Sequence, residues 1–267
     1  MTAISTHRLS RRFGRTQALD GVTIEIAEGE MVALIGASGS GKSTLIRHIA
    51  GLERADTGRV RVLGRAGQEE GRMLSRPDGS VAVLFQQFNL VGRMSVLMNV
   101  LMGHLGRVPR LRGTLGIFTA EEKAAGLSAL SRVGIGQVAG QRASTLSGGQ
   151  QQRAAIARCL VQKARILIAD EPISALDPAS ARRVMDVLAD VNARERMTVL
   201  VSLHQVEYAR RYCRRTIAMR DGRVVYDGPT TALNNGFLAE LYGAASEELV
   251  LPEAPPAAAA APVLTLA

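Results

Sequence analysis

The stretch Gly36-Ala37-Ser38-Gly39-Ser40-Gly41-Lys42-Ser43-Thr44 constrains this chain more than any other part of it. It fits GxxxxGK[ST], the spacing of a loop that cradles phosphates. The five residues before it, Met31-Val32-Ala33-Leu34-Ile35, are continuously apolar, as a central buried strand requires. The residues after it, Ser43 to Ala50, read as a helix closed by Gly51. Strand, glycine-rich loop and helix in this order turn successive backbone N–H groups inward at a helix N-terminus, which makes an anion site. Glycine at 36, 39 and 41 permits both the backbone angles and the close approach of phosphate oxygens. Lys42 is then expected to reach the β- and γ-phosphates of a nucleotide, and the Ser43 hydroxyl to form part of a Mg²⁺ shell.

Composition narrows the class further. The 267 residues can fill one large domain or two small ones. Apolar residues make up 46% and charged residues 21%, the balance of a globular protein. No apolar run approaches the roughly 20 residues that span a bilayer, and Met1 to Ser10 has no apolar signal-peptide centre. Cys159 and Cys213 imply no disulfide framework, and Cys159, at helical spacing from Ile156 and Leu160, reads as a core residue. The net charge of +9 invites a nucleic-acid reading. Its cations, however, are dispersed or in short clusters, and aromatic residues total only 3%, too few for a base-stacking platform. A solvated basic surface, able to face an anionic membrane leaflet, is the simpler expectation, and no nucleic-acid partner is expected.

Along the chain, Val22 to Ile26 alternates apolar and polar as a half-buried strand does, and Val81 to Phe85 reads as a buried strand ending at Gln86. From about 89 to 161 helical periodicity dominates, with Thr119-Ala120-Glu121-Glu122 fitting a helix start. This stretch reads as a helical subdomain inserted in an α/β core. The core resumes with the apolar strand Arg165 to Asp170, a helix near Ala179 to Arg194, the strand Thr198 to Ser202 and the segment Thr216 to Met219. Asp221-Gly222 then gives a hairpin signal before Arg223 to Tyr226. Alternating strands and helices argue for a mainly parallel sheet covered on both faces. The Pro/Ala-rich residues 246–267 are expected to be a disordered tail after a domain spanning 1–245.

Asp170 ends an apolar strand, which aims its carboxylate at the metal region beside the phosphates, and Glu171 follows as a candidate general base or water-orienting group. Upstream lies Leu146-Ser147-Gly148-Gly149-Gln150, two adjacent glycines opening a helix-forming stretch. Together with the phosphate loop, this string makes the chain resemble the ATP-binding subunits of ATP-binding cassette (ABC) transporters.

The resemblance implies a P-loop NTPase fold of the RecA-like kind, with an N-terminal antiparallel β-subdomain and an inserted α-helical signature subdomain. It implies ATP and Mg²⁺ as cofactors, with Asp170, Ser43 and Gln86 toward the metal. Gln87 is adjacent to Gln86 and could take that role instead. Glu171, His204, Lys42 and Gln86 are implied in catalysis. Phe13 matches the aromatic set against adenine, though a core role also suits it. Ser147, Gly148, Gly149 and Gln150 match the signature loop, which meets the nucleotide held by a second copy. Asp177, in Ser174-Ala175-Leu176-Asp177, matches the loop joining the two sites. The expected assembly is a homodimer with ATP sandwiched head to tail, docked on permease subunits at the cytoplasmic face of a bacterial inner membrane. A periplasmic or lipid-anchored substrate-binding protein is expected to act through the permease.

Within the group, Gln141 to Arg153, Glu171-Pro172-Ile173, the run from His204 to Cys213 and the insert from Gly103 to Lys123 resemble the phosphonate-importer branch. Ala37, where proline is frequent, and Ala175, where serine is frequent, depart from it without removing a catalytic group. Importers of phosphate, phosphite or polar amino acids remain alternatives. A different class, an ABC ATPase acting on nucleic acid or the ribosome, usually carries two cassettes, coiled coils or zinc-binding cysteine pairs. None of these features is present in the sequence.

Overall fold

The computed structural model describes residues 1–75 and 79–243, so the tail at 246–267 lies outside the described residues. Two long strands open the chain, β1 (Thr2–Phe13) and β2 (Thr16–Ala27). Next come β3 (Met31–Ile35) and α1 (Lys42–Ile49), then β4 (Thr57–Val62), β5 (Arg65–Glu69) and β6 (Arg72–Met73). After β7 (Val81–Leu84) the chain turns helical, with α2 (Val96–Leu101), α3 (Arg110–Thr114), α4 (Ala120–Arg132) and α5 (Gly148–Gln162). It then returns to the sheet through β8 (Ile166–Ala169), α6 (Pro178–Glu195), β9 (Thr198–Ser202), α7 (Val206–Tyr212), β10 (Arg215–Arg220), β11 (Arg223–Pro229) and α8 (Asn235–Tyr242).

These strands form two sheets among the described residues. One is antiparallel, in the order β2-β1-β4-β5-β6, and the other runs β11-β10-β3-β9-β8-β7. In the second sheet every pair from β10 to β7 is parallel, and only β11 is antiparallel, joined to β10 by the Asp221-Gly222 turn. Both turn residues have positive φ, 50° and 75°, as a tight hairpin turn requires.

The apolar runs of the central strands are explained by two separate cores. Ala33 and Ile35, Leu167 and Ala169, and Val199 and Val201 face a core built with the helices α5 and α6. Their neighbours Val32 and Leu34, Ile166 and Ile168, and Leu200 face the opposite core, with α1 and the antiparallel sheet. Side chains alternate along each strand, so a strand covered on both faces is apolar at most positions. β4, exposed on one face, instead alternates, with Gly58, Val60 and Val62 buried and Thr57, Arg59 and Arg61 exposed.

The helical layer is anchored by α5. Its N-terminus is a capping box: the Gln150 amide donates to Ser147 Oγ and the Ser147 amide to Gln150 Oε1. Thr119 and Glu122 cap α4 in the same way. Ala154, Ala155 and Ala157 are buried, and such small side chains let α5 lie close to α2, α4 and α6. Gly149 is tighter still, since a Cβ there would lie 2.8 Å from Ser180 Cβ at the start of α6. Helices α2 to α5 all fall between β7 and β8, so the sheet closes around the inserted layer without it. Cys159 is buried, and burial pushes its thiol up to about 12, which leaves it a packing residue.

Candidate functional site

In a parallel sheet the ends of several strands converge on one edge, and a ligand can sit where strand order diverges from a central strand. Here β3 is flanked by β10 on one side and β9 on the other. The phosphate loop leaves the carboxyl end of β3, Gln86 follows β7, Asp170 and Glu171 follow β8, and His204 follows β9. Four strands therefore deliver the sequence-assigned groups to one edge.

The loop is shaped by its glycines and braced from behind. Gly36, Gly39 and Gly41 have φ of 146°, 80° and 101°. A Cβ on Gly36 would lie 2.2 Å from the Met219 carbonyl oxygen, and one on Gly41 would lie 2.5 Å from that of Ala18. The Gly222 amide donates to the Ser40 carbonyl at 3.1 Å, so the β10–β11 turn supports the loop from below. The sequence marks Gly222 only as a turn residue, and its bracing role has no local signal. Gly39 has open space around it, and Ser38 and Gly39 are exposed, which leaves the rim of the loop accessible to an incoming anion.

Lys42 is buried and folded back into its own loop. Its Nζ donates to the carbonyls of Gly36 at 2.7 Å and Ala37 at 3.0 Å. Burial pulls the ammonium below its usual range, while Glu171 and Asp170 act in the opposite direction. A buried ammonium held by neutral carbonyls is undercompensated, so a triphosphate in the cradle would be a better partner. Thr44 is half-buried in the first turn of α1.

The carboxylates are organised by hydroxyls. Ser43 Oγ donates to Asp170 Oδ1 at 3.1 Å, and Ser202 Oγ donates to the same oxygen at 2.9 Å. Ser202 Oγ also accepts the Glu171 amide at 2.8 Å. Glu171 has a left-handed φ of 50°, a conformation that costs a residue with a Cβ about 1 kcal/mol. Glu171 Oε1 lies 2.5 Å from His204 Nε2. Behind His204, the Tyr242 hydroxyl donates to the His204 carbonyl at 3.3 Å, and burial pushes that phenol up to about 12. Neither Ser202 nor Tyr242 is marked as a site residue by the sequence. A serine ending an apolar strand and a tyrosine ending a helix carry no motif.

The hard oxygens of Ser43 and Asp170 suit a Mg²⁺ ion that draws its remaining ligands from phosphates and water. Gln86 and Gln87 are both exposed just beyond the Asp170 edge, where the Asp170 amide donates to Leu84 O at 2.8 Å. Phe13, at the end of β1, is 42% exposed and therefore not a core residue. The Arg11 guanidinium lies 4.6 Å from the centre of its ring.

The signature residues are placed elsewhere. Ser147 to Gln150 open α5 and pack on the start of α6, where Asp177 Oδ1 accepts the amides of Ala179 and Ser180. The Ser180 hydroxyl and amide hold the Asp177 carboxyl below the usual carboxylate range. Asp177 and the signature loop therefore share one structural corner, and the hydrogen bonds within the phosphate site include neither. A groove of about 700 Å³ lies apart from these residues. It is lined by His104, Arg132, Lys163, Arg165 and Met197, at the ends of α4 and α5 and the start of β9, and shares no residue with the phosphate loop.

Comparison with known proteins agrees with this geometry. The family model for ABC transporters matches residues 19–174. The Phosphonates import ATP-binding protein PhnC 1 of Pseudomonas aeruginosa is 57% identical over 254 residues, covering 93% of this chain and 91% of that protein. The Phosphonates import ATP-binding protein PhnC of Stutzerimonas stutzeri is 56% identical over 248 residues, covering 91% and 90%. Among solved structures, a dimeric post-hydrolysis ATP-binding cassette bound to ADP and phosphate superposes with a TM-score of 0.70 at 29% identity, covering 86% of this chain and all 100% of that one. With its phosphate loop, strand-end carboxylates and capped signature helix in one fold, the chain belongs to the ABC transporter family, as one of its ATPase cassettes.

Proposed function

We propose that this protein is the ATP-hydrolysing motor of a bacterial importer whose cargo is phosphonates, and that it works as a head-to-tail pair bound to permease subunits. One observation carries the motor reading: the hydrogen-bonded row Ser43–Asp170–Ser202–Glu171–His204 runs along the sheet edge beside the phosphate loop. The cargo reading rests on the 57% identity to a phosphonate import protein across nearly the whole chain.

In this scheme Phe13, exposed at the end of β1, stacks on adenine. Lys42 exchanges the Gly36 and Ala37 carbonyls for the β- and γ-phosphate oxygens. The amides of residues 38–44 converge on the phosphates at the N-terminus of α1. Ser43, Asp170 and Gln86 would hold Mg²⁺, which when bound offsets charge on the phosphates. Glu171 accepts a proton from the attacking water or orients it, and His204 steadies Glu171 and meets the γ-phosphate. Ser147, Gly148, Gly149 and Gln150 of the second copy would close the site from across the seam, with Asp177 linking the two sites. The separation of the signature corner from the phosphate loop within one chain supports this reading, as does the dimeric state of the related cassette.

No helix among the described residues is long and apolar enough to cross a membrane. A peripheral position on the cytoplasmic face of the inner membrane, held by the permease, fits that observation. Exposed Leu111, Leu115 and Ile117 in the helical insert offer apolar surface to such a partner. A periplasmic or lipid-anchored binding protein would signal cargo through the permease.

The test is reconstitution of the cassette with its permease and binding protein, followed by a screen of phosphonates, phosphate, phosphite and polar amino acids for stimulation of ATP hydrolysis. Stimulation by phosphonates at the lowest concentration is the expected result. Preferential stimulation by another class would reassign the cargo, and stimulation by nucleic acid without a permease would overturn the transport reading.

A further inference from the structure

The geometry points to Ser202 as a positioning residue for ATP hydrolysis, one that sets the two strand-end carboxylates relative to each other through a single hydroxyl. Ser202 is fully buried at the end of β9, between β3 and β8. A serine hydroxyl has one proton to donate and lone pairs to accept. Here the proton goes to Asp170 Oδ1 at 2.9 Å, and a lone pair takes the Glu171 amide at 2.8 Å. Both capacities serve adjacent residues of a neighbouring strand end, so the hydroxyl fixes the side chain of Asp170 and the backbone of Glu171 at once.

The backbone of Glu171 needs such a tether. Its left-handed φ is unfavourable for a residue with a Cβ, and such conformations persist only where the surroundings over-determine them. Ser202 also lies two residues before His204, whose Nε2 meets Glu171 Oε1 at 2.5 Å. The end of β9 and the residues just after it thus grip Glu171 at both ends, its amide through Ser202 and its carboxylate through His204. Without the hydroxyl the Glu171 amide loses its buried acceptor and Asp170 Oδ1 keeps only Ser43. The expected consequence is a small displacement of Glu171, which a reaction dependent on a positioned water registers strongly.

This inference rests on Glu171 being the water-activating group, and the experiment separates the two claims. Ser202→Ala and Glu171→Gln are compared with the parent in the assembled complex for kcat, for equilibrium affinity toward a fluorescent ATP analogue, and for melting temperature. Ser202→Ala is expected to lower kcat about tenfold or more while nucleotide affinity stays within about twofold, the split expected of an interaction felt in the transition state. If alanine reduces soluble yield, Ser202→Cys keeps the side-chain shape with a slightly larger atom and substitutes a weak donor, and the same split is expected. Parent-like kcat in the Ser202 variant, with Glu171→Gln inactive, overturns the positioning role and leaves the site reading intact. So does a parallel fall of affinity, kcat and melting temperature, which marks a merely structural serine. Normal hydrolysis by Glu171→Gln defeats the site reading itself.

Discussion

Glu171 is the residue on which turnover is expected to depend most. Its carboxylate is one-fifth exposed and faces His204, and its neighbour Asp170 already receives two hydroxyl protons. Replacing it with glutamine keeps the shape and removes the proton acceptor, so hydrolysis should fall by about 10²-fold or more. Binding of ATP, which depends on the loop and Lys42, should persist. Single-turnover hydrolysis and equilibrium nucleotide binding measured on the same sample check both halves. At this scale the sequence is informative where chemistry is local: the spacing of Lys42 and Ser43 and the Asp170-Glu171 pair are visible in one dimension, whereas His204 is picked out by the family resemblance. The roles of Ser202, Tyr242 and Gly222 are visible in neither. Their partners lie 32, 38 and 182 positions away along the chain (Asp170, His204 and Ser40), and only the sheet order brings them together.

Among the elements, α5 carries a buried polar side chain without a partner. Gln152 is fully buried on this helix, and neither of its amide atoms has a hydrogen-bond partner. An orphaned buried polar group costs about 1–3 kcal/mol, whereas an apolar side chain of similar shape avoids that cost. Gln152→Met is therefore expected to leave stability unchanged or raise it by about 1 kcal/mol in denaturant unfolding. A loss of about 2 kcal/mol or more would mean that its amide is satisfied in solution. The element pattern also explains which strands the sequence reveals. β3 and β8 are buried on both faces and read as unbroken apolar runs, as does β9 between its terminal Thr198 and Ser202. β1 ends in Ser10-Arg11-Arg12-Phe13, and β5 and β6 are short and largely polar, so one-sided burial leaves little periodicity to detect. Only the stretch from Val22 to Ile26 of β2 alternates cleanly, and the strand runs well beyond it, from Thr16 to Ala27. For those strands the family resemblance, not periodicity, supplied the antiparallel subdomain. Boundaries elsewhere differ by a residue, as with β7, which ends at Leu84 and not Phe85, except that β11 runs three residues past Tyr226 to Pro229.

At the scale of the molecule, the proposed head-to-tail pairing makes each copy half of two sites, and among the described residues no hydrogen bond joins the phosphate loop to Ser147–Gln150 of the same chain. That claim separates this account from a self-sufficient ATPase. A two-fold dimer places the phosphate loop of each copy against the signature loop of the other, so defects on different copies can leave one composite site whole. The direct measurement mixes two inactive variants, Lys42→Ala and Ser147→Arg, lets subunits exchange, and follows ATP hydrolysis against each variant alone. Mixed pairs retain one site with an intact Lys42 facing an intact Ser147, so the mixture should recover about a quarter of the parent rate at equal proportions. A mixture as silent as its separate components would contradict shared sites, because a site completed within one chain has no intact copy in any of the pairs.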